Sequence, residues 1–581
     1  MNGRARTASF RGAPTERNLR PVLLRLFALA LSALLVAGPV LAVDYLSYEI
    51  CGKKVDFDNS GGSGWNASLH GAVAGGALCS VTDKDQDGYT TDDCNDSDPN
   101  DFPGVYGQNG CSAGSFRLCQ SDGTYAAACS STFTCPSSNC YFISTTGNDT
   151  AAGTIGAPWL TFGPITQNDP GGGTTRHTPV AGDTFVLRGG TYSTNKDIDN
   201  SMLYINSKDG TSGSRITIMG YPGETPILNS TNVAGSNAHF EFVYADYWDI
   251  KGLEFDAGFG DPIKWDGDGA SEGTNLRVYH NYFNAVRGTA GNNNNAIKIT
   301  NASSFEVHNN YFFDWSVLVS FRAKDGRVHH NVAWLDSSTS PQVQCISKKH
   351  ADQLEAGNFT VDHNVCANYN RATDDGVIWT AEQNSTIHHN IIAGCTGSSG
   401  VTLQGDPGGP SYINGQSITY NTFINCANPL KAYHFTSIDA AIGTVDFSNN
   451  VITDNSANYT GTSLGLLQFA DDTAGAAETS RVALFNGTNF SANGNCYYNA
   501  SVSGLTGAFE VFPTASGGSS NNLTNWNAIT GVGTDIEQNP AHDSQPAATS
   551  ASCLGKGWLD NSSVTTISGG GSSGLSRRGR W

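Results

Sequence analysis

Short runs of alternating apolar and polar residues recur along the middle of the chain, and many end in a polar residue followed by asparagine. LRVYH leads to Asn281, FEVHN to Asn310, FTVDH to Asn364, STIHH to Asn390 and TVDFSN to Asn450. The joint reads HNYF, NNYF, HNVA, HNVC, HNII, YNTF and NNVI, and more loosely NCYY, which adds Asn331, Asn421 and Asn495 to the series. Successive asparagines stand 29, 21, 33, 26, 31, 29 and 45 residues apart. A strand that ends in a tight turn and returns at such intervals predicts a solenoid. An asparagine in the same turn of every coil can bond to those above and below, the ladder logic of stacked parallel strands. An irregular interval suits a coil with two fixed turns and one variable loop, so the predicted fold is all-β, a parallel β-helix.

A second register lies between the asparagines. PIKWDGD from Pro262, AIKITNA from Ala296, LVSFRAK from Leu318, VQCISKK from Val343, GVIWTAE from Gly376, GVTLQGD from Gly400, PLKAYHF from Pro429 and LLQFADD from Leu466 read as one strand on successive coils. Alternation points Ile263/Trp265, Ile297/Ile299, Val319/Phe321, Val377/Trp379, Val401/Leu403, Leu430/Ala432 and Leu467/Phe469 inward. Lys264, Lys298, Arg322 and Lys348, then Thr380, Gln404, Lys431 and Gln468, are expected outward. In VQCISKK an outward Lys348 also puts Ile346 outside. Stacked strands lie about 4.8 Å apart, so the first four cations form a ridge. One reading of it is a groove for a polyanion. The other is solvated charge neutralised by Asp266, Asp268, Asp325 and Glu382.

Composition narrows the class. With 68 Gly, 3 Met and 14% charged residues in 581, the chain is turn-dense and leaves little room for helices. The formal net charge of −20 disfavours nucleic acid and anionic membranes as partners. Residues 1–25 carry six Arg, and the apolar run Leu26–Ala37 is shorter than the roughly 20 residues a membrane span needs. With V-L-A ending at Ala42, residues 1–42 read as a secretory signal peptide. No membrane span is expected after cleavage. The protein is expected to be secreted or held at the cell surface, as a monomer, with a flexible tail at 566–581.

Fourteen cysteines point to an oxidising compartment, and eight fall between Cys51 and Cys140. Residues 43–140 are therefore expected to form a small disulfide-rich module. Within it, VTDKDQDGYTTDDCNDSDPNDFPG sets Asp83, Asp85 and Asp87 at alternating positions before Gly88. Three carboxylates and the Tyr89 carbonyl can converge on one hard cation. Cys94 stands where an EF-hand has its closing Glu, so closure falls to Asp92, Asp93, Asp96 or Asp98. Asp83, Asp85, Asp87, Tyr89, Asp93, Asp96 and Asp98 are the candidate ligands. The string resembles the metal-binding motif of bacterial surface proteins and thrombospondin type 3 calcium repeats. All-oxygen ligands favour Ca²⁺.

Three later phrases, YFISTTGNDTAAGTIGAPWLTFGPITQ, GDTFVLRGGTYS and RITIMGYPGETPILN, resemble the opening of bacterial right-handed parallel β-helix proteins of the pectate-lyase-like superfamily. NWNAITGVGTDIEQNP resembles their closing segment. The resemblance implies a right-handed β-helix over 141–565, with the segment around Pro158–Thr166 capping its open end. It also implies a carbohydrate-linked function. Arg322 in VSFRAKDGRVHHN is similar to an arginine that alginate-lyase and chondroitinase-B-like enzymes carry one coil after their catalytic lysine, which makes Lys298 and Arg322 candidate catalytic residues. Asn301 stands where those enzymes have the lysine, and their calcium-binding glutamates have no match. Lys264 and Lys348 are then candidate substrate contacts.

Two functions follow: a surface or matrix protein that binds glycans without catalysis, or a polyuronate lyase acting by β-elimination. The partner in either case is an acidic polysaccharide or another glycan. His280, His330, His363 and His389 precede ladder asparagines and are expected to stack outside in a structural role. Cys395 and Cys426 share a register and could be stacked thiols or a disulfide.

Overall fold

The computed structural model describes residues 139–166, 177–193, 201–229, 238–256, most of 261–454, and 490–499. It also describes isolated residues between 125 and 137 and short strands at Tyr45–Ile50, Lys53–Asp58, Asn66–His70, Tyr106–Gly107, Arg117–Leu118, Leu467–Asp471, Phe509–Val511, Ser519–Asn521 and Ile536–Glu537. The leader, the 83–98 acidic loop and the tail lie outside the described residues.

Each circuit of the chain makes three strands. Trp248–Lys251, Glu254–Asp256 and Asp261–Asp266 form one circuit, after which Thr274–Tyr279 pairs in parallel with Trp248–Lys251 through Ile250 and Val278. Repetition builds three parallel stacks. The first runs from Asn139–Ile143 to Phe490–Asn493, the second from Gly190–Tyr192 to Ile536–Glu537, and the third from Leu203–Asn206 to Phe509–Val511. Ser519–Asn521 pairs antiparallel at the end of the third. Among the described residues the first and third sheets fuse at one place, where Asn295–His308 runs through the corner unbroken. Its Lys298 pairs in the third sheet and its Val307 in the first.

The expected inward pairs Ile263/Trp265, Ile297/Ile299, Val319/Phe321, Val401/Leu403 and Leu430/Ala432 are all buried in the core. GVIWTAE departs by one residue. Ile378 and Thr380 continue the inward rows of Ile346 and Lys348, while Trp379 faces out and Val377 is buried beside Gly376 at the strand's start. Large rings stack along the axis inside the coil. Phe255, Phe283 and Phe312 follow one another with centroids 4.8 and 4.6 Å apart and nearly parallel planes. At the N-terminal end Trp159 lies flat on Tyr141, and Phe162 and Ile165 are buried against the opening coils, so this segment covers the rings that the first circuit would expose.

The outer face of the first sheet is apolar where it begins. Phe142, Val186 and Met219 line it, and Phe133 and Tyr221 pack over them beside the Cys135–Cys140 disulfide. The end of the cysteine-rich segment is thus seated on the coil. Two further disulfides between described cysteines brace the solenoid. Cys345–Cys366 ties the third sheet to the second, and Cys395–Cys426 joins adjacent coils. Disulfide bonds of this kind belong to oxidising compartments. No helix among the described residues is long and apolar enough to cross a membrane.

Candidate functional site

The turn between the first and second sheets is the most regular feature of the molecule. All eight ladder asparagines are buried. Each side-chain Nδ2 from Asn281 to Asn450 donates to Oδ1 of the next asparagine at 3.0–3.2 Å, and the backbone N–H beside it donates to the same oxygen. The second Nδ2 hydrogen reaches strand carbonyls, as Asn364 does to Val328 and Asp362. The residue before each rung takes φ between 53° and 58° at His280, Asn309, His330, His363, His389, Tyr420 and Asn449, and Gly494 takes 69°. That left-handed conformation excludes β-branched residues and explains why His, Asn, Tyr and Gly recur there.

Three of the four histidines stack outside the coil as the sequence implied, while His280 meets His308 edge-on. His330, His363, His389 and Tyr420 lie parallel with centroids 4.8, 5.1 and 5.2 Å apart. A neighbouring column holds Tyr279, His308 and His329, which the sequence reading did not single out. Asp362 continues that column and is fully buried. Burial would raise its carboxyl, but the Arg327 fork at 2.7 and 2.8 Å and the His363 bond hold it far below the usual carboxylate range. Ligating atoms of His330, Asp362 and His363 lie within 4.8 Å of one another, a group that could hold a metal ion.

The cations of the third sheet are arranged differently from the predicted row. The continuous outward row is Glu241, Lys264, Lys298, Ser320, Ser347, Trp379, Thr402, Lys431 and Gln468. Lys264 and Lys298 are therefore direct neighbours. Arg322 stands opposite Thr300, on the same outer face but one outward step further along the strand, and is exposed. Lys348 is the correction. It pairs with Phe321 and points inward, with 1% exposure, its Nζ bonded to the Ala323 carbonyl and lying over the rings of Phe321 and Phe359. Its aliphatic stem fills a core position and the aromatic faces receive the charge.

Both outer lysines have carboxylates. Lys264 Nζ donates to Glu241 at 2.6 Å, and Lys298 lies 3.6 Å from Asp261. Of the residues expected to neutralise the ridge, Asp266 does act on Lys264. The closest partners are Glu241, on a strand the second register did not include, and Asp261, the residue just before PIKWDGD. Burial would lower the Lys264 ammonium, but the Glu241 hydrogen bond and the charges of Glu241, Asp266 and Asp261 carry it above its ordinary value. It is held protonated. Ser347, Trp379 and Thr402, the next outward rungs but one, each bury a polar atom that has no hydrogen-bond partner. Their signal in the sequence was only a position between two inward residues.

Residues 141–316 match the family described as Pel9A-like, right handed beta helix region. No curated protein matches the chain. Among solved structures, XylC in complex with xylose is 11% identical, with 62% of this chain and 83% of that one covered at a TM-score of 0.30. Pectate lyase Pel9A is 16% identical over 59% and 82%, TM-score 0.33, and a rhamnogalacturonan lyase 14% over 61% and 87%, TM-score 0.33. With the family match falling on coils of three parallel sheets, the chain carries a right-handed parallel β-helix, Pel9A-like over 141–316, whose second sheet adds described parallel strands as far as Ile536–Glu537.

Proposed function

We propose that this is an exported or surface-held β-helix protein that binds an acidic glycan along the outer face of its third sheet. The observation that carries the reading is the register of Lys264 and Lys298, direct neighbours on adjacent coils, with Arg322 on the same face of the following one. On a chain of net charge −20 these three cations share one face with Glu241, Asp261 and Asp266 beside them. Like charges at one strand spacing repel. Glu241 holds Lys264 protonated, Asp261 stands beside Lys298, and a uronate chain would add its own negative charge. A Lys298→Ala/Arg322→Ala double variant should bind alginate or pectate about tenfold or more weakly at low salt, where screening is least. Equal binding by the double variant, or none by the wild type, removes the reading.

A second reading, β-elimination, is supported by Lys298 and Arg322 sharing one outer face on neighbouring coils. In it, Lys298 takes the proton α to a uronate carboxyl and Arg322 stabilises the charge that develops. Absorbance of unsaturated uronate should then rise when the protein meets alginate, pectate or chondroitin. A flat trace across that panel, with and without Ca²⁺, leaves binding alone.

We also infer that Asp83, Asp85, Asp87, Tyr89, Asp93, Asp96 and Asp98 hold Ca²⁺ in a structural role, from their spacing. Chelation should lower the melting temperature of the full-length protein, and Asp85→Ala with Asp87→Ala should abolish the difference. A wild-type melting temperature indifferent to chelator counts against it.

A further inference from the structure

The stacked histidines are not equivalent to the tyrosines and asparagines that share their columns. His330, His363 and His389 each have Nδ1 engaged on the inner side. His363 Nδ1 lies 2.9 Å from the Asp362 carboxylate, His330 Nδ1 lies 2.7 Å from Nδ1 of His329, and His389 Nδ1 lies 2.7 Å from Nδ1 of His388. A carboxylate can only accept, so His363 carries its proton on Nδ1 and leaves the Nε2 lone pair available. Each histidine pair shares one proton between two Nδ1 atoms, and the tautomer in which the outer ring donates frees Nε2 on His330 and His389 as well. Three imidazoles in a parallel stack, with neighbouring centroids 4.8 and 5.1 Å apart, can then each offer Nε2.

We propose that His330 and His363 bind a borderline transition-metal ion of the Zn²⁺, Ni²⁺ and Cu²⁺ class through Nε2. Imidazole nitrogens suit these ions and not Ca²⁺. The glycan reading plays no part in this, since these residues lie on a different part of the coil. Asp362 is not a ligand in this arrangement. Both of its oxygens already accept from Arg327, so it positions the His363 ring and raises its basicity, as carboxylates do behind metal-bound histidines. A metal takes nitrogen at about 2.0–2.1 Å, so two ligands on one ion stand at most about 4.2 Å apart. The two rings lie within 3° of parallel, so binding turns His330 and His363 toward each other out of the stack as well as closing the distance. Both are only partly buried, which leaves the outer edges room to tip.

Asparagine already occupies the same turn position at Asn309 and Asn449 with the same positive φ, so His330→Asn and His363→Asn are substitutions the fold accepts. Calorimetric titration of the full-length protein with Zn²⁺, in excess Ca²⁺ to saturate the acidic loop, should show binding that the double variant weakens about tenfold or more, at least the loss seen when a ligand histidine's orienting partner is removed. His280→Asn, at the same turn position but away from Asp362, should leave the affinity unchanged. On the unaltered protein, electron paramagnetic resonance of bound Cu²⁺ should show coupling to imidazole nitrogen. No Zn²⁺ binding by the wild type, equal affinity in the double variant, or oxygen-only Cu²⁺ ligation would each overturn the assignment.

Discussion

The asparagine turn and the outer row of the third sheet both repeat once per coil, yet one keeps its residue on eight coils and the other changes at almost every rung. In the turn, each amide meets several backbone and side-chain partners at once and is buried. Any other side chain leaves several of those partners unpaired. In the outer row, Lys264, Lys298, Ser320, Ser347, Trp379 and Thr402 follow one another with no shared bonding pattern. The first sheet offers a middle case. Its outward row of Asp249, Arg277, Glu306 and Arg327 alternates in sign, and the Arg277 fork holds Asp249 at 2.7 and 2.8 Å. Neighbours that bond to each other restrict sequence, whereas neighbours that merely stand side by side do not. The adjacent lysines of the third sheet pair with carboxylates, Lys264 with Glu241 in the same row and Lys298 with Asp261, and not with each other.

The comparison breaks most visibly at the ladder. Asn364→Leu removes the donor to Val328, Asp362 and Asn390 and strands the backbone N–H of Asn331. At about 1–3 kcal/mol per stranded buried group, the loss should be about 3 kcal/mol or more in chemical denaturation. A loss under about 1 kcal/mol would mean that water or slippage repairs the rung.

A buried polar group outside the ladder should show itself through pH. His239, with 2% exposure, has its pKa lowered to about 4 by burial, only partly offset by hydrogen bonds to the Leu228 and Asp256 backbone. The native ring stays neutral down to about pH 4, while the unfolded ring takes a proton near 6.5. The unfolded chain then binds more protons across that window, so stability falls as pH drops from about 6.5 to about 4, by up to about 1.4 kcal/mol per unit. His239→Leu should flatten that slope relative to wild type. An unchanged slope assigns the acid sensitivity to other groups, among them His389, lowered to about 3 by burial and the charges of His363 and His388.

The smallest effect is expected on the outer row. Thr402→Val removes a buried hydroxyl that bonds to nothing, at nearly constant volume, and should change stability by less than about 1 kcal/mol in either direction. A loss comparable to Asn364→Leu would show that the row is bonded after all.

The same distinction governs what the sequence alone could reveal. Ladder, turn and coil order were legible because Asn281 through Asn495 repeat one residue at one joint. The third-sheet row was half legible. Ile297/Ile299 and Val319/Phe321 correctly point inward, and the residue between each pair is Lys298 and Ser320, so alternation itself puts Ser320 and not Arg322 opposite Lys298. Chemical likeness between lysine and arginine had overridden the spacing. Lys348 was misplaced because a lysine reads as outward until the rings of Phe321, on the preceding coil, and Phe359, on the next strand, are known to meet it. The carboxylates on Lys264 and Lys298 come from Glu241 and Asp261, 23 and 37 residues earlier in the chain, and only the pitch of the coil brings them close. The Asp362–Arg327–His363 group likewise assembles across a 35-residue gap that no local motif marks.

The positive-φ turn makes the polypeptide behave like a one-dimensional crystal whose unit cell is the stretch from one rung to the next. Residues 311–331 run from just after one ladder asparagine through the next and contain no cysteine. Excising them would join Asn310 directly to Val332, bring Asn364 into the place that Asn331 vacates, and leave every remaining joint with the conformation it had. Chains of this design can gain or lose length in whole periods, so relatives of quite different size could share one lattice and differ only in how many cells it holds.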